Sequence, residues 1–381
     1  MKKILSVVVV VAVTLFQTVQ ITANAQKSDK PTVNAQACVL YCVDDGKVYF
    51  SINGNKKMKP ASTTKMMTSL ITLEYADSAD KVVTFTKDMT AEGSSMYLKV
   101  GEKVKLSDLA AGMMMASGND AANAAAISIA GSAEKFSELM NNRAAVIGMK
   151  NTHFVTPSGL DDENHYSTAY DMALLMSYAL ENESFAKLTS QKSVTVEFSE
   201  PQSKRTTYVN HNRLLSMYEY CTGGKTGYTM AAGRCLVSSA KKDGLTFVCV
   251  TLNDRNDWND HIALYNYGFS QLACVECDDS DYYLEIPCAG GDDEKISVTG
   301  TKGKNIVVPF DKKSNVVRTA YADNFLYAPV KDGDIVGRIE YTLDGKTLAS
   351  TNLTAVEYSN TQNKNKSIWT KIKDFFTYGK E

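Results

Sequence analysis

Apolar residues are spaced differently in successive parts of the chain, and the spacing predicts which parts are helices and which are strands. Short alternating runs on either side of Asp44-Asp45-Gly46 predict two strands joined by a turn within residues 37 to 52. A helical repeat follows at Met66, Met67, Leu70, Ile71 and Leu73. This repeat predicts a helix that begins near residue 60 and buries one face.

The middle of the chain mixes the two patterns. Short strands and turns are predicted over residues 82 to 108 and 192 to 213, and strands around a hairpin at Lys242-Asp243-Gly244 over residues 224 to 252. Helices are predicted at Leu109 to Ile129, at Glu134 to Ile147, from Ser167 or Thr168 to Leu180, and at Asp260 to Leu272. Helices and strands within one unit indicate an α/β (α+β) fold class.

From about Asp279 the helical repeat disappears. Short alternating runs replace it at Lys295 to Thr299, Asn305 to Val308, Asp334 to Leu343 and Lys346 to Val356. Leu343-Asp344-Gly345-Lys346 is a strong hairpin signal between the last two runs. We therefore predict a small all-β domain over residues 279 to 358.

Both ends of the chain carry apolar segments with charged flanks. Met1-Lys2-Lys3, the apolar run Ile4 to Phe16 and the small residues Ala23-Asn24-Ala25 predict a secretory signal peptide, residues 1 to 25, cut after Ala25. The alternative is an uncleaved membrane anchor, for which the apolar run is short.

The other end is predicted to be an amphipathic helix over residues 364 to 381. Its apolar residues fall within an arc of roughly 120° at about 100° per residue. They are Ile368, Trp369, Ile372, Phe375 and Phe376, flanked by Lys371 and Lys373. Such a helix lies in a membrane interface rather than crossing the bilayer. The alternative is a helix that packs on the β domain.

Charge and cysteine content narrow the class of protein. The formal charge of −2 falls to −4 once the two lysines of the signal peptide are removed, which argues against nucleic acid as a partner. Eight cysteines in an exported chain permit disulfides but do not predict them. Cys235 and Cys249 lie on the two arms of a predicted hairpin and could be neighbours. For Cys274 and Cys277 we favour ordinary thiols over a metal or redox site, because no second pair has zinc-site spacing.

A serine and a lysine stand one helical turn apart in Pro60-Ala61-Ser62-Thr63-Thr64-Lys65. Residues three apart share a helix face, so Lys65 can reach the Ser62 hydroxyl as a base reaches a nucleophile. Ser-x-x-Lys also begins at Ser78, Ser132, Ser184, Ser238 and Ser239. Only after Ser62 does a long apolar repeat follow at once, which would hold the serine rigidly.

Ser62 also has two downstream companions, Ser117-Gly118-Asn119 and the single Lys225-Thr226-Gly227. This ordered set resembles the three signatures of the penicillin-recognising serine enzymes. Thr156 to Leu160, His165 to Met172 and Asn210 to Leu215 further resemble the D-alanyl-D-alanine carboxypeptidases among the penicillin-binding proteins, serine peptidase family S11.

The resemblance implies a fold and an activity. The fold would be a five-stranded antiparallel sheet flanked by helices with a helical subdomain, residues 26 to 276, followed by the β domain. The activity would be that of an enzyme on the extracytoplasmic face of the membrane that removes the terminal D-alanine from peptidoglycan stem peptides, with β-lactam antibiotics as inhibitors and no cofactor or metal.

Chemistry and resemblance together assign roles to the site residues. Lys65 acts as a base only if its pKa is lowered, and we expect the charge of Lys225 to lower it, with partial burial adding to the effect. Ser117 can relay a proton to the leaving amine, and Asn119 can orient Lys65 and hold a substrate carbonyl. The N–H of Ser62 at a helix start is one oxyanion donor.

The resemblance supplies the remaining substrate contacts. The N–H of Tyr228 would be the second oxyanion donor, and Gly227 would let the substrate backbone lie close to its strand. Thr226 and Arg255 would bind the free carboxylate of the terminal D-alanine; the alternative is that Arg255 pairs with Asp254 or Asp257. His211 stands where some members of the family have arginine.

Two other functions compete with this interpretation. A class A β-lactamase would need a Glu-x-x-Leu-Asn element after the second signature, and none occurs between Asn119 and Lys225. A non-catalytic protein that binds penicillin or the cell wall would not need an activated serine. His165 is expected to be a surface or loop histidine rather than a catalytic one, and the histidines lack metal-ligand spacing.

Overall fold

A computed structural model describes residues 29 to 291 and 293 to 356; the predicted signal peptide and the predicted C-terminal helix lie outside them. The strands are β1 (Ala37–Cys42), β2 (Lys47–Ile52), β3 (Val82–Thr84), β4 (Lys103–Lys105), β5 (Ser193–Glu197), β6 (Arg205–Val209), β7 (Cys221–Thr229), β8 (Gly233–Lys242), β9 (Leu245–Leu252), β10 (Leu272–Val275), β11 (Tyr283–Ala289), β12 (Lys295–Gly300), β13 (Ile306–Pro309), β14 (Val317–Ala322), β15 (Leu326–Tyr327), β16 (Ile335–Leu343) and β17 (Lys346–Ala355). The α-helices are α1 (Lys65–Ser78), α2 (Leu106–Met115), α3 (Asn119–Ala130), α4 (Ala133–Ile147), α5 (Ala169–Ala179), α6 (Glu183–Thr189), α7 (Leu214–Met217) and α8 (Asp257–Gln271).

The main sheet has five strands in the order β2-β1-β9-β8-β7. Every neighbouring pair is antiparallel, which confirms the predicted five-stranded antiparallel sheet. The β8–β9 hairpin turns at the predicted place, where Asp243 and Gly244 both have positive φ, at 48° and 81°. Strand β7 lies at one end of this order, and its partner in the sheet is β8.

The two faces of the sheet bury different side chains because successive residues of a strand point in opposite directions. Val39 belongs to the core shared with α1 to α5, whereas Leu40 belongs to the core shared with α8. Cys235 and Cys249 also divide between these two cores, and Cys235 pairs in register with Leu252. The expectation that the two thiols could be neighbours is therefore wrong; all eight cysteines are free.

The helical region differs from its prediction at one place. The single helical region expected over Leu109 to Ile129 is two helices, α2 and α3, separated at residues 116 to 118. Ser117 has a φ of 57°, a conformation that a continuous α-helix does not contain. The break places the second signature in a turn between two helices, which the apolar repeat could not indicate.

The C-terminal unit contains a six-stranded sheet in the order β14-β16-β17-β12-β11-β15. Its core is aliphatic and includes Ile286, Ile296, Val298, Ile339 and Leu353. Its hairpin turns at Asp344 and Gly345, as predicted, again with positive φ at both residues. None of the helices in the described ranges is long and apolar enough to cross a membrane.

Candidate active site

Ser62 lies on a 3₁₀ turn, Ala61–Thr64, that leads directly into α1. The residue before it, Ala61, has a φ of 49°, which is uncommon for a residue with a side chain. The loop at Gly159 fits against this turn so closely that a Cβ on Gly159 would lie 2.0 Å from the Ala61 carbonyl oxygen. The chain thus presents Ser62 on a strained turn with backbone N–H groups of the first turn beside it.

Lys65 is completely buried behind Ser62. Its Nζ lies 2.9 Å from Ser62 Oγ and donates hydrogen bonds to Asn119 Oδ1 and to the Ser158 carbonyl oxygen, both at 2.7 Å. Burial holds the pKa of Lys65 well below its ordinary value, and the nearby charge of Lys225 lowers this pKa further. Burial is thus the larger cause, whereas we expected the charge of Lys225 to be the main one.

A neutral amine has two N–H donors and one lone pair. The two oxygens of Asn119 and Ser158 take the two donors, so the lone pair of Lys65 faces the Ser62 hydroxyl. This arrangement can remove the proton from Ser62 as the hydroxyl attacks a carbonyl carbon. The sequence does not indicate the Ser158 carbonyl, because backbone oxygens leave no residue-type signal.

Ser117 and Lys225 form a second pair beside the first. Lys225 Nζ donates to Ser117 Oγ at 3.0 Å and to the Thr226 carbonyl oxygen at 2.8 Å. Lys225 is also buried, and burial lowers its pKa to about 7. The Ser117 hydroxyl, held by this lysine, can pass a proton to a group that leaves Ser62.

Strand β7 approaches the Ser62 turn with its backbone. A Cβ on Gly227 would lie 2.9 Å from the Ser62 nitrogen and 3.0 Å from the Thr63 nitrogen, so a side chain there would displace the strand. Glycine at this position therefore permits the edge of β7 to lie beside the first turn. The next residue, Tyr228, is 61% exposed, and its predicted role as an oxyanion donor stays a prediction.

These groups open into a cleft of about 540 Å³. It is lined by Ser62, Ser94, Ser117, His211, Thr226, Gly227, Tyr228, Arg234, Cys235, Asp257 and Trp258. Lys65, Asn119 and Lys225 are buried directly behind the cleft. Lys65 donates a hydrogen bond to Asn119, and Lys225 donates one to Ser117. Eight of the nine predicted site residues, all except Arg255, thus lie in the cleft or directly behind it.

Arg255 is not where we expected it. Asn253 turns the chain after β9 with a φ of 51°, Asp254 points inward and is buried, and Arg255 is left exposed. Its side chain lines a different pocket, with Asn34, Gln36, Asn253 and Asn256. The alternative ion pairs are not formed either, because Asp257 is bound by Arg234 through bonds of 2.7 to 3.1 Å.

His165 lies in the loop between α4 and α5, so the expectation of a surface or loop histidine holds for the loop and is wrong for the surface, because the side chain is buried. It is 2% exposed, and its Nδ1 accepts hydrogen bonds from the backbone N–H groups of Val155 and Thr156 at 3.0 and 3.2 Å. The ring proton is therefore on Nε2, which lies 2.9 Å from Thr64 Oγ1. Burial lowers the pKa of His165 to about 4, so the ring is a neutral structural link.

The chain is similar to two family models and to several curated and structurally characterised proteins. A model described as D-alanyl-D-alanine carboxypeptidase matches residues 23 to 256, and a model described as penicillin-binding protein 5, C-terminal domain, matches residues 278 to 359. D-alanyl-D-alanine carboxypeptidase DacF of Bacillus subtilis is 33% identical over 347 residues, covering 88% of each chain. DacC of Escherichia coli is 34% identical over 359 residues, 88% of this chain and 86% of its own.

Two solved structures are also similar to this chain. Penicillin-binding protein 5 of Haemophilus influenzae aligns with a TM-score of 0.65 at 29% identity, over 87% of this chain and 99% of its own. A mutant of the Streptomyces K15 DD-transpeptidase aligns with a TM-score of 0.60 at 30% identity, over 63% of this chain and all of its own.

A substitution at Asn119 tests whether Lys65 acts in its neutral form. Asn119→Asp places a negative charge on the atom that now accepts a hydrogen bond from Lys65, which favours the ammonium form and raises the pKa of Lys65. The rising limb of the pH profile for acylation of Ser62 by penicillin should move to higher pH by roughly one to three units.

Asn123→Asp is the matched control, because it makes the same change one turn along α3, where the amide instead bonds to the Thr90 carbonyl oxygen at 3.4 Å. It should leave the limb in place. Acylation rates are measured by intact mass over pH 5 to 10. An unmoved limb in Asn119→Asp would contradict proton transfer to Lys65.

Proposed function

The chain belongs to the D-alanyl-D-alanine carboxypeptidase family, and from that membership we propose that it is an exported serine-type enzyme that removes the terminal D-alanine from peptidoglycan stem peptides. The observation that carries the proposal is the contact between the buried Lys65 amine and Ser62, with both amine protons directed at other oxygens. Both family models support the proposed units, a catalytic domain over 26 to 276 and a β domain over 279 to 358.

The reaction begins with attack by Ser62. Lys65 takes the hydroxyl proton while Ser62 Oγ bonds to the carbonyl carbon of the penultimate D-alanine, and the carbonyl oxygen becomes an oxyanion. The N–H groups of Ser62 and Tyr228 stabilise this oxyanion. The proton passes from Lys65 through Ser117 to the nitrogen of the terminal D-alanine, the C–N bond breaks, and the amino acid leaves.

Hydrolysis of the ester completes the cycle. Water attacks the acyl carbon and gives a proton to Lys65, which has returned to its neutral form. The tetrahedral intermediate collapses, Ser62 Oγ recovers a proton from Lys65, and the peptide leaves one residue shorter. A β-lactam would acylate Ser62 in the same way and act as an inhibitor.

The geometry around Lys65 argues against the two rival functions. Its hydrogen-bond partners in the described part of the chain are Ser62, Asn119 and the Ser158 backbone, so no carboxylate stands there as a deacylation base of the class A β-lactamase kind. A protein that only bound penicillin or the cell wall would have no need to bury a lysine beside a serine, since burial of the charged form costs free energy.

Recognition of the terminal carboxylate involves Thr226 and an arginine. Arg234 lines the cleft, but Asp257 already compensates its charge. Arg255 is exposed and, among the residues described, has no ion-pair partner, but its side chain lines a different pocket and follows β9, which is not next to β7. Arg234 lies on β8 opposite Tyr228 of β7 and lines the cleft with Thr226. A guanidinium can bind a carboxylate through two parallel hydrogen bonds, and in this proposal Arg234 provides it in place of the expected Arg255.

The proposed localisation rests on what the sequence predicts for the two ends of the chain. The predicted signal peptide would direct export, and the predicted amphipathic helix over 364 to 381 would hold the enzyme at the extracytoplasmic face of the membrane. Its apolar stripe would enter the interface while its lysines bind anionic lipid.

The first prediction concerns the nucleophile. Ser62→Ala should lose both the covalent adduct with penicillin and the release of D-alanine from a peptide ending in D-Ala-D-Ala, because Ser62 carries the one hydroxyl, among the described residues, that is bonded to the Lys65 amine. Intact mass and D-alanine assay measure the two properties. Ser94→Ala, which changes another serine of the cleft, is the control and should keep the adduct. An adduct on the Ser62→Ala protein would overturn the assignment.

A second prediction separates the two arginines. Arg234→Ala should lower kcat/KM by at least about tenfold on a peptide ending in a free carboxylate and much less on its amidated form, because only the first presents a charge. Arg255→Ala, which changes a residue outside the cleft, should affect both peptides equally. A selective loss from Arg255→Ala, together with equal losses from Arg234→Ala, would return the role to Arg255.

A third prediction concerns the membrane. Deletion of residues 364 to 381 should release the enzyme from membranes and leave its soluble activity unchanged. Trp369→Ser combined with Phe376→Ser, which keeps length and charge, should have the same effect because it removes apolar area. Sedimentation with membranes checks both variants. A truncated protein that still sediments would locate the anchor elsewhere, such as in an uncleaved N-terminus.

A further inference from the structure

Strand β7 offers a free edge to the substrate. It pairs with β8 on one side, and it stands last in the order of the five-stranded sheet. A peptide acylating Ser62 can therefore lie along this edge as an added strand. Ser117 and Lys225, which serve the leaving group, mark one direction from Ser62. The acyl-donor part of the peptide must extend in the other direction, past Tyr228.

That direction ends at Thr229 and Met230. Met230 is 90% exposed, so none of the residues that the structure describes covers this end of the strand. A strand advances about 3.3 Å per residue. If the acylated D-alanine lies beside Gly227 and Tyr228, the residue before it lies beside Thr229 and Met230.

Asp161 stands beside this position. Its Oδ1 accepts a hydrogen bond from Thr229 Oγ1 at 3.0 Å, which fixes the carboxylate at the end of β7. Lys59 Nζ is 3.9 Å from the same oxygen, beyond hydrogen-bond distance. The side chain of Asp161 is one-third exposed, and Oδ2 has no bonded partner among the residues that the structure describes.

The neighbouring acids are arranged differently. Asp162 Oδ1 accepts from the N–H of Asn164 at 2.7 Å, within its own loop. Glu163 is exposed and, among the described residues, makes no hydrogen bond or ion pair with β7. Asp161 is thus the carboxylate of this loop that is hydrogen-bonded to β7, the strand along which the substrate would lie.

We propose that Asp161 determines specificity by binding a cationic amino group at the end of the side chain that precedes D-Ala-D-Ala in the substrate. The proposal rests on the function proposed above. In this proposal a long side chain on the added strand carries its amino group to the Thr229 side of β7, where Asp161 lies. Its ammonium group would then replace Lys59 as the closest cation to Asp161.

The alternative is that Asp161 only holds the turn after β7. Thr229 Oγ1 accepts from the N–H of Ala232 at 3.0 Å and donates to Asp161, so the carboxylate does support this turn. Asp161→Asn separates the two roles, because the amide oxygen still accepts the bond from Thr229 while the negative charge is lost.

The experiment compares two peptides, Nα-acetyl-L-Lys-D-Ala-D-Ala and its Nα,Nε-diacetyl analogue, which lacks the cation. The unmodified enzyme should prefer the first by about fivefold in kcat/KM, the size expected of a partly exposed charge pair. The difference between the two peptides should appear in KM rather than in kcat, and the preference should decrease as the salt concentration is raised. Asp161→Asn should remove it while leaving the diacetyl peptide and the rate of penicillin acylation unchanged.

Two further variants complete the test. Asp162→Asn, the matched control, should keep the preference, and Lys59→Met should enlarge it because a competing cation is removed. An unmodified enzyme without preference, or an Asp161→Asn enzyme that retains it, would overturn the inference. If Asp161→Asn also loses acylation by penicillin, that variant is uninformative about the peptide side chain, and Lys59→Met is used in its place. A Lys59→Met enzyme whose preference for the cationic peptide is unchanged would then overturn the inference. An enzyme that hydrolyses neither peptide would overturn the proposed function, and the inference with it.

Discussion

The hydrogen bonds around the buried amine of Lys65 are the constraint on which the active site depends. A charged ammonium in this position would lose its hydration, and the cost of that loss favours the neutral form. In the neutral form, the oxygens of Asn119 and Ser158 use both N–H donors and leave the lone pair to Ser62. Nucleophile activation is thus a consequence of burial and of where two acceptor oxygens lie, with the charge of Lys225 as an addition.

Those two oxygens are held by backbone geometry outside the helix that carries Lys65. Asn119 begins α3 two residues after the left-handed residue Ser117, and Ser158 precedes Gly159, which packs against Ala61. Left-handed residues with side chains cost of order 1 kcal/mol each and persist only where the surroundings stabilise them. Here the surroundings are the buried core of α1 to α5 and the link from His165 to Thr64.

Predictability from sequence differed between these parts for physical reasons. Ser62 and Lys65 could be paired because helical spacing determines which side chains meet, and strands and hairpins followed from alternating runs and turn signals. The assembly of the strands into one five-stranded sheet was expected only from the family resemblance. The break at Ser117 could not be predicted, because small apolar residues continue on both sides of it. The Ser158 carbonyl was missed because a backbone oxygen leaves no residue-type signal, and the burial of His165 was missed because its partner Thr64 is distant in the sequence. Arg255 was misplaced because one turn at Asn253 decides which way the following side chains point.

The protonation state of Lys65 in the resting enzyme is the central claim, and NMR of lysine side chains labelled with ¹³C at Cε tests it directly. The Lys65 resonance can be assigned by its loss in Lys65→Arg. We predict a resonance at the position of a neutral amine at pH 8, with a titration midpoint well below that of the exposed lysines. A Lys65 resonance that remains at the ammonium position up to pH 9 would contradict the account.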